Sequence, residues 1–329
     1  MKQRKIGEAA VSALGYGAMS FAEFYGPTTE ENSFAILDAC RDAGVTHIDT
    51  SNVYGMGRSE KAIGQYLKDH PGARDSFHIA TKAAITRRDG ARFFDNSAEH
   101  LESELDASLE KMGIECVDLF YVHRREAERP IEEVAETLGR LVAKGKTRAV
   151  GFSEIAPSSL RRAHAVHPVA AVQSEYSLQT RAPELGLVQT CAELGVALVA
   201  FSPVGRSLLT DHPLDADIIP SLPFLAPNPR FAPPNYARNL ELTAPFRALA
   251  AEMGLPAAGL AVAWCLAKGD HVIPIPGTRS VAHFRELLAG AEAELKPEDV
   301  ARIETVLPVG WAHGDRYSAD QWVGPERYC

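Results

Sequence analysis

His47-Ile48-Asp49-Thr50-Ser51-Asn52-Val53-Tyr54-Gly55 is the stretch on which the fold turns. An apolar run stops at an acid, three small polar residues follow, and a tyrosine precedes a glycine. The apolar part reads as a buried strand, the remainder as a loop leaving its C-terminal end. In parallel β/α proteins, ligands collect at that end of the strands. A poorly solvated aspartate there wants a cation, and the next strand candidate ends in one: His78-Ile79-Ala80-Thr81 runs into Lys82. The strand after it, Leu119-Phe120-Tyr121-Val122, runs into His123. Acid, ammonium and imidazole thus end three successive strands, with a phenol on the first loop.

The flanking chain keeps this rhythm. Arg4 to Ser12 reads as a hairpin turning near Gly7, fit to plug a barrel bottom, and Leu14 to Ser20 as a glycine-bearing first strand. Thr28 to Ala43 reads as a helix with Thr28 and Glu31 as a capping box. Ser59 is expected to cap a helix to Tyr66, and Ser97 a helix striped by Leu101, Leu105, Leu109 and Met112. Further helices are expected at Ile131–Ala143, from Pro157, and at Pro183–Leu194; strands at Arg148–Phe152, Ala170–Gln173, Val196–Phe201 and His271–Ile275. Alternation of this kind demands parallel strands, and eight units fit a closed eight-stranded parallel (β/α)8 barrel of the TIM type, here a single domain over residues 1–329. Two stretches break the pattern. Ser202 to Arg238 holds 8 of the 21 prolines and is expected to be a loop after strand seven that closes over a cofactor. An extra helix, Pro297 to Leu307, precedes a tail carrying Trp311, Tyr317, Trp322 and Tyr328.

The grouped residues suit carbonyl chemistry. A phenol has a pKa of about 10, too high to give up its proton readily at neutral pH. An adjacent ammonium is expected to lower it, an aspartate to hold the ammonium charged, and an imidazole to orient a carbonyl oxygen. Such an acid facing a C=O is what reduction by hydride requires.

Asp49, Tyr54, Lys82 and His123 resemble, in order and placement, the catalytic tetrad of the aldo-keto reductases. The likeness extends through Arg58-Ser59-Glu60, Gly151-Phe152-Ser153, Gln173 to Ser177, Phe201-Ser202-Pro203 and Ile275-Pro276-Gly277-Thr278, nearly the whole chain. The resemblance implies NADPH as cofactor, with NADH as an alternative. It places Ser153 and Gln173 on the carboxamide, Phe201 stacked on the nicotinamide, and Ser202, Pro203, Val204 and Arg206 around the pyrophosphate. Gly277, Thr278, Arg279, His283 and Glu286 would meet the adenosine end, where Arg279 and a helix capped by Ser280 also suit a phosphate on physical grounds. Relatives often carry a basic residue in place of Ser280, asparagine in place of Leu287 and of Glu154, and tyrosine in place of Phe201. Leucine cannot read the adenine edge, which weakens discrimination against NADH.

Two other functions fit the same residues: an NADPH-binding subunit with slow turnover, and an aldolase using Lys82 as a Schiff-base nucleophile. Phe21, Phe24 and Tyr25 suggest an aromatic-walled entrance, and Arg124 beside His123 suits an anionic or polar group. The substrate is expected to be a small carbonyl compound or alcohol.

Composition narrows the partners. With 34 basic and 43 acidic residues the formal charge is −9, which argues against a nucleic-acid or anionic-membrane surface. The five cysteines, Cys40, Cys116, Cys191, Cys265 and Cys329, are scattered and lack metal spacing, and no His, Asp or Glu group has it, so no metal is expected. No leader and no apolar run near 18 residues opens or interrupts the chain, so a cytoplasmic protein is expected.

Overall fold

The computed structural model describes residues 1–88 and 91–327. The hairpin β1 (Gln3–Ile6) and β2 (Ala9–Ser12) comes first, then β3 (Tyr16–Gly17), α1 (Glu30–Ala43), β4 (His47–Asp49), α2 (Arg58–Asp69), the short α3 (Ala73–Ser76) and β5 (His78–Ala83). An antiparallel hairpin, β6 (Ile85–Arg88) and β7 (Ala91–Phe94), precedes α4 (Ala98–Met112), β8 (Val117–Val122), α5 (Ile131–Ala143), β9 (Thr147–Ser153), α6 (Pro157–Val166) and β10 (Ala171–Glu175). The chain closes with α7 (Leu187–Leu194), β11 (Ala197–Phe201), α8 (Asn235–Glu252), α9 (Ala257–Ala267), β12 (Val272–Pro274), α10 (Val281–Glu292) and α11 (Pro297–Val306).

Eight of these strands form one parallel sheet in the order β3-β4-β5-β8-β9-β10-β11-β12. Its two ends meet: Gly15 N donates to Pro274 O at 2.9 Å and Gly17 N to Pro276 O at 3.1 Å. That seam needs glycine, because a Cβ on Gly17 would lie 2.8 Å from Ile275 O. The expected first strand is correspondingly short, and from Ala18 to Ala22 the chain turns into a 3-10 helix. Strand side chains alternate between two cores. Ala80, Leu119, Tyr121, Val199 and Ile273 point inward, and Ile6 and Val11 of the hairpin plug the bottom. Ile79, Phe120, Val122, Val150 and Leu198 face the helices, where the stripe Leu101, Leu105, Leu109 and Met112 is buried as expected.

Several local expectations are corrected. Thr29, rather than Thr28, caps α1 by accepting from Asn32 N at 3.3 Å. Gly57, with φ of 88°, precedes α2 as its N-cap; Ser59 is the second residue of the helix and donates to Ala18 O at 2.9 Å instead. The helix expected over Pro183–Leu194 is broken at Gly186, where φ is 152°, into a 3-10 turn and α7. Ser97 and Ser280 cap α4 and α10, and Pro157 opens α6, as read. The proline-rich loop ends earlier, at α8, and builds its own apolar cluster from Leu208, Ile219, Leu222, Leu225, Phe231 and Tyr236. Tyr328 and Cys329 of the tail lie outside the described residues.

Among the described residues, no single helix is long and apolar enough to cross a membrane. Cys40, Cys116, Cys191 and Cys265 are free thiols, three of them buried.

Candidate active site

Strand register brings the tetrad to one mouth. Asp49 pairs with Ala80 across β4 and β5, and Lys82 with Tyr121 across β5 and β8. His123 N donates to Ala83 O at 2.7 Å, fixing the residue after β8 to the end of β5. Asp49, Lys82 and His123 therefore leave neighbouring strand ends on the inner side, and Tyr54 joins them from the loop between β4 and α2.

Lys82 is fully buried. Its ammonium makes a short contact with Asp49 Oδ1 and donates to Thr50 O at 2.7 Å. Gln173 Nε2 donates to the other Asp49 oxygen at 2.7 Å. Burial pushes the Asp49 carboxyl up and the Lys82 ammonium down, each partly offset by the other's charge. Lys82 Nζ lies 5.1 Å from the centroid of the Tyr54 ring. That ring stands edge-on to His123 at 6.0 Å and to Phe24 at 6.0 Å. His123 Nδ1 lies 3.1 Å from Ser51 Oγ; with Ser51 donating, Nε2 keeps its proton. Burial first, then the charges of Arg124 and Lys82, push this imidazole well below its ordinary value, so it is neutral.

The expected lowering of the Tyr54 phenol by Lys82 is not found. Burial and then the Asp49 charge raise it; the cation that pulls it down is Arg124.

One cavity of about 540 Å³ runs from this mouth across the top of the barrel to α10. Asp49, Tyr54 and His123 line one end, with Ser153, Gln173 and Phe201 beside them. Ser202, Pro203, Val204 and Arg206 follow, and Gly277, Thr278, Arg279, His283 and Glu286 line the far end. Every residue nominated from sequence therefore borders one space except Lys82, which lies beneath it. Ser202 holds φ of 52°, and Gly205, Arg206 and Ser207 hold 59°, 54° and 83°, left-handed values costly at the three non-glycine residues. Right- and left-handed backbone side by side, as at Val204 (φ −96°) and Gly205 (φ 59°), turns successive N–H groups one way and suits an anion. Ser153 Oγ is already an acceptor for Arg124 at 2.9 Å, and Arg279 Nη1 donates to Pro27 O at 2.7 Å. Leu287 also borders the far end.

The loop after β11 and the tail form one cover. Asn228 Nδ2 donates to Arg316 O at 2.7 Å, and Asn239 exchanges hydrogen bonds with His313 backbone at 3.0 and 2.8 Å. Beneath them Glu175 accepts from Arg206 at 2.8 Å and from Arg316 at 3.3 Å, with Arg230 at 3.6 Å. Arg316 also reaches Glu154 in a short contact. Burial alone would raise the Glu175 carboxyl, but Arg206, Arg316 and Arg230 together hold it down at about 2.

The tail aromatics divide. Trp311 is buried and donates to Leu178 O at 2.8 Å, docking the tail, whereas Tyr317 lines the cavity. Phe24 and Tyr25 line it too, but Phe21 is buried against Tyr16 and forms no entrance. Arg92, Phe224 and Gln321 line the cavity from segment 87–94, the proline-rich loop and the tail, the variable stretches expected to set the substrate, although no motif singles out these three side chains. A metal-type grouping was equally hidden. Ligand atoms of His212, His283 and Glu286 lie within 4.8 Å of one another, but His212 comes from the proline-rich loop, far off in sequence.

The comparisons agree with this architecture. The model of the Aldo/keto reductase family matches residues 13–308. The chain is 37% identical over 319 residues to the aldo-keto reductase yakc [NADP(+)] of Schizosaccharomyces pombe, covering 95% of this chain and 94% of that one. It is 36% identical to the aldo-keto reductase str7 of Strobilurus tenacellus, over 95% and 94% of the two chains. Among solved structures it superposes on the glycerol dehydrogenase AKR11B4 of Gluconobacter oxydans with a TM-score of 0.81 at 26% identity, covering 93% and 94%. The holo form of the aldo-keto reductase AKR11C1 of Bacillus halodurans gives 0.76 at 25%, covering 98% and 99%. The chain belongs to the aldo/keto reductase family.

Proposed function

We propose that this protein is an NADPH-dependent oxidoreductase that reduces an aldehyde or ketone to the alcohol, reversibly, as one barrel domain acting in the cytoplasm. NADPH, or less favourably NADH, supplies the hydride when bound. Tyr54 gives its phenolic proton to the carbonyl oxygen. Neutral His123 donates from Nε2 to that oxygen and orients it. Lys82 and Asp49, steadied by Gln173, fix the field around the phenol and resupply it with a proton route. Tyr54 is protonated at neutral pH, as a proton donor must be; burial and the Asp49 charge make the phenol a weaker acid, and the Arg124 charge works against them.

What carries this reading is the single cavity joining Tyr54 and His123 to the N-terminus of α10. It offers one anion site at Ser202–Ser207 and another at Gly277–Ser280, both on the same groove. The yakc relative is named for NADP(+), in keeping with this. Arg279 favours a phosphate at the far end, and Leu287 offers adenine no hydrogen bond. The aldolase reading is disfavoured because Lys82 does not border the cavity and its ammonium is held by Asp49 and Thr50 O. Oxidation of NADPH with a panel of aldehydes, followed by nicotinamide absorbance, tests the proposal. Turnover with several aldehydes supports it; cofactor binding without turnover favours a binding subunit, and borohydride trapping of a substrate adduct favours the aldolase.

A further inference from the structure

We propose that Arg92 and Arg124 form an anion-binding subsite at the catalytic end of the cavity, so that the substrate is a small aldehyde or ketone carrying a carboxylate. The proposal rests on the reductase reading above and specifies its substrate class.

Arg124 directly follows His123, and Arg92 comes from β7 of the hairpin that leaves β5. Both border the same end of the cavity as Tyr54, walled by Phe24, Phe224 and Tyr317. Each guanidinium is held by neutral acceptors. Arg124 Nη1 donates to His123 O at 2.6 Å and Ser153 Oγ at 2.9 Å. Arg92 Nη2 donates to Asp320 O at 2.7 Å and Val323 O at 2.9 Å. A guanidinium has five N–H donors, so both keep donors to spare.

The acids nearby are engaged elsewhere. Asp49 is paired with Lys82; Glu154 and Glu175 are taken by Arg316, Arg206 and Arg230. Glu126 pairs with Arg129 and Glu326 with Arg125. Among the described residues neither Arg92 nor Arg124 has a carboxylate within ion-pair distance; Asp320 meets Arg92 through its backbone oxygen, and its carboxylate acts only through its field. Arg92 is an exposed residue at the rim and Arg124 is half-buried; burial and then the Arg124 charge push the Arg92 guanidinium down, as a like charge close by does. A carboxylate between them would match both charges and accept in the planar geometry that arginine favours. The phosphate sites inferred for the cofactor lie towards α10, so this pair is not needed there.

The test compares 4-carboxybenzaldehyde with 4-nitrobenzaldehyde, the ratio of kcat/KM being the readout, in the parent and in Arg92→Met and Arg124→Met. The parent is expected to prefer the carboxylate by about 10- to 100-fold, and each substitution to cut the ratio by about 10-fold. Raising salt should erode the preference. Equal kcat/KM for the two aldehydes, or variants that change both alike, would overturn the subsite while leaving the reductase reading intact. If neither aldehyde oxidises NADPH, the reductase reading fails, and calorimetry with benzoate and benzamide decides the subsite alone. Benzoate binding that is lost in Arg92→Met supports it; benzoate binding no tighter than benzamide overturns it.

Discussion

Lys82 meets Asp49 in a short, fully buried contact while its ammonium sits 5.1 Å from the centre of the Tyr54 ring. The pair is a neutral unit beneath the phenol, not a free cation beside it. Lys82→Met therefore strands a buried carboxylate and should cost about 3–5 kcal/mol of stability as well as activity. Asp49→Asn added to Lys82→Met should restore much of the stability and none of the turnover. Thermal melts and aldehyde turnover of the two variants separate these effects.

The pH profile follows from the same surroundings. Burial pushes the Tyr54 phenol up and the His123 imidazole down, so both keep one protonation state through the neutral range. Reduction, which needs the protonated phenol, should show kcat/KM flat from pH about 6 to about 9. Alcohol oxidation, which needs the phenol deprotonated, should rise with pH across that range. A break in the reductive profile near the ordinary histidine value would show that His123 titrates and is not held neutral.

Glu175 ties loop and tail to the barrel, and its carboxyl is held at about 2 against an ordinary 4.5. A depressed carboxyl adds stability above its unfolded value and loses it as pH falls through the folded one. The contribution is therefore full above pH 4.5 and gone near pH 2. Its size is about 3 kcal/mol, since each unit is worth about 1.4. Glu175→Gln should lower the melting temperature at neutral pH, with the gap to the parent closing in acid. It should also speed release of NADPH, measured by stopped-flow fluorescence, because Arg206 and Arg316 lose their common partner.

Much of this was legible because it is written in local pattern. Apolar runs ending in Asp49, Lys82 and His123 announce both the strands and the end at which they open. Ser97, Pro157 and Ser280 mark helix starts by their own hydrogen-bonding chemistry. What escaped depends on partners distant in sequence. Thr28 and Thr29 are equally good caps, and only the chain's path into α1 chooses between them. Gly186 breaks a helix whose apolar spacing looks continuous. Gln173 has nothing nearby in sequence to show that Asp49 takes its amide. Arg92, His212 and Gln321 reach the cavity from a hairpin, a proline-rich loop and a tail; the stretches could be named from sequence, but which side chains fold over the mouth no periodicity encodes. The direction of the Tyr54 shift depends on the same kind of partner: burial and the Asp49 charge raise the phenol, and the cation that lowers it is Arg124, not Lys82.

Tyr54→Phe tests the central claim most directly, with turnover of 4-nitrobenzaldehyde and the NADPH dissociation constant measured on the same preparation. Removing one oxygen should lower kcat by about 1,000-fold, within the range a positioned acid contributes, and leave NADPH binding within about threefold of the parent. A variant that still turns over at close to the parent rate would contradict the assignment of Tyr54 as the proton donor.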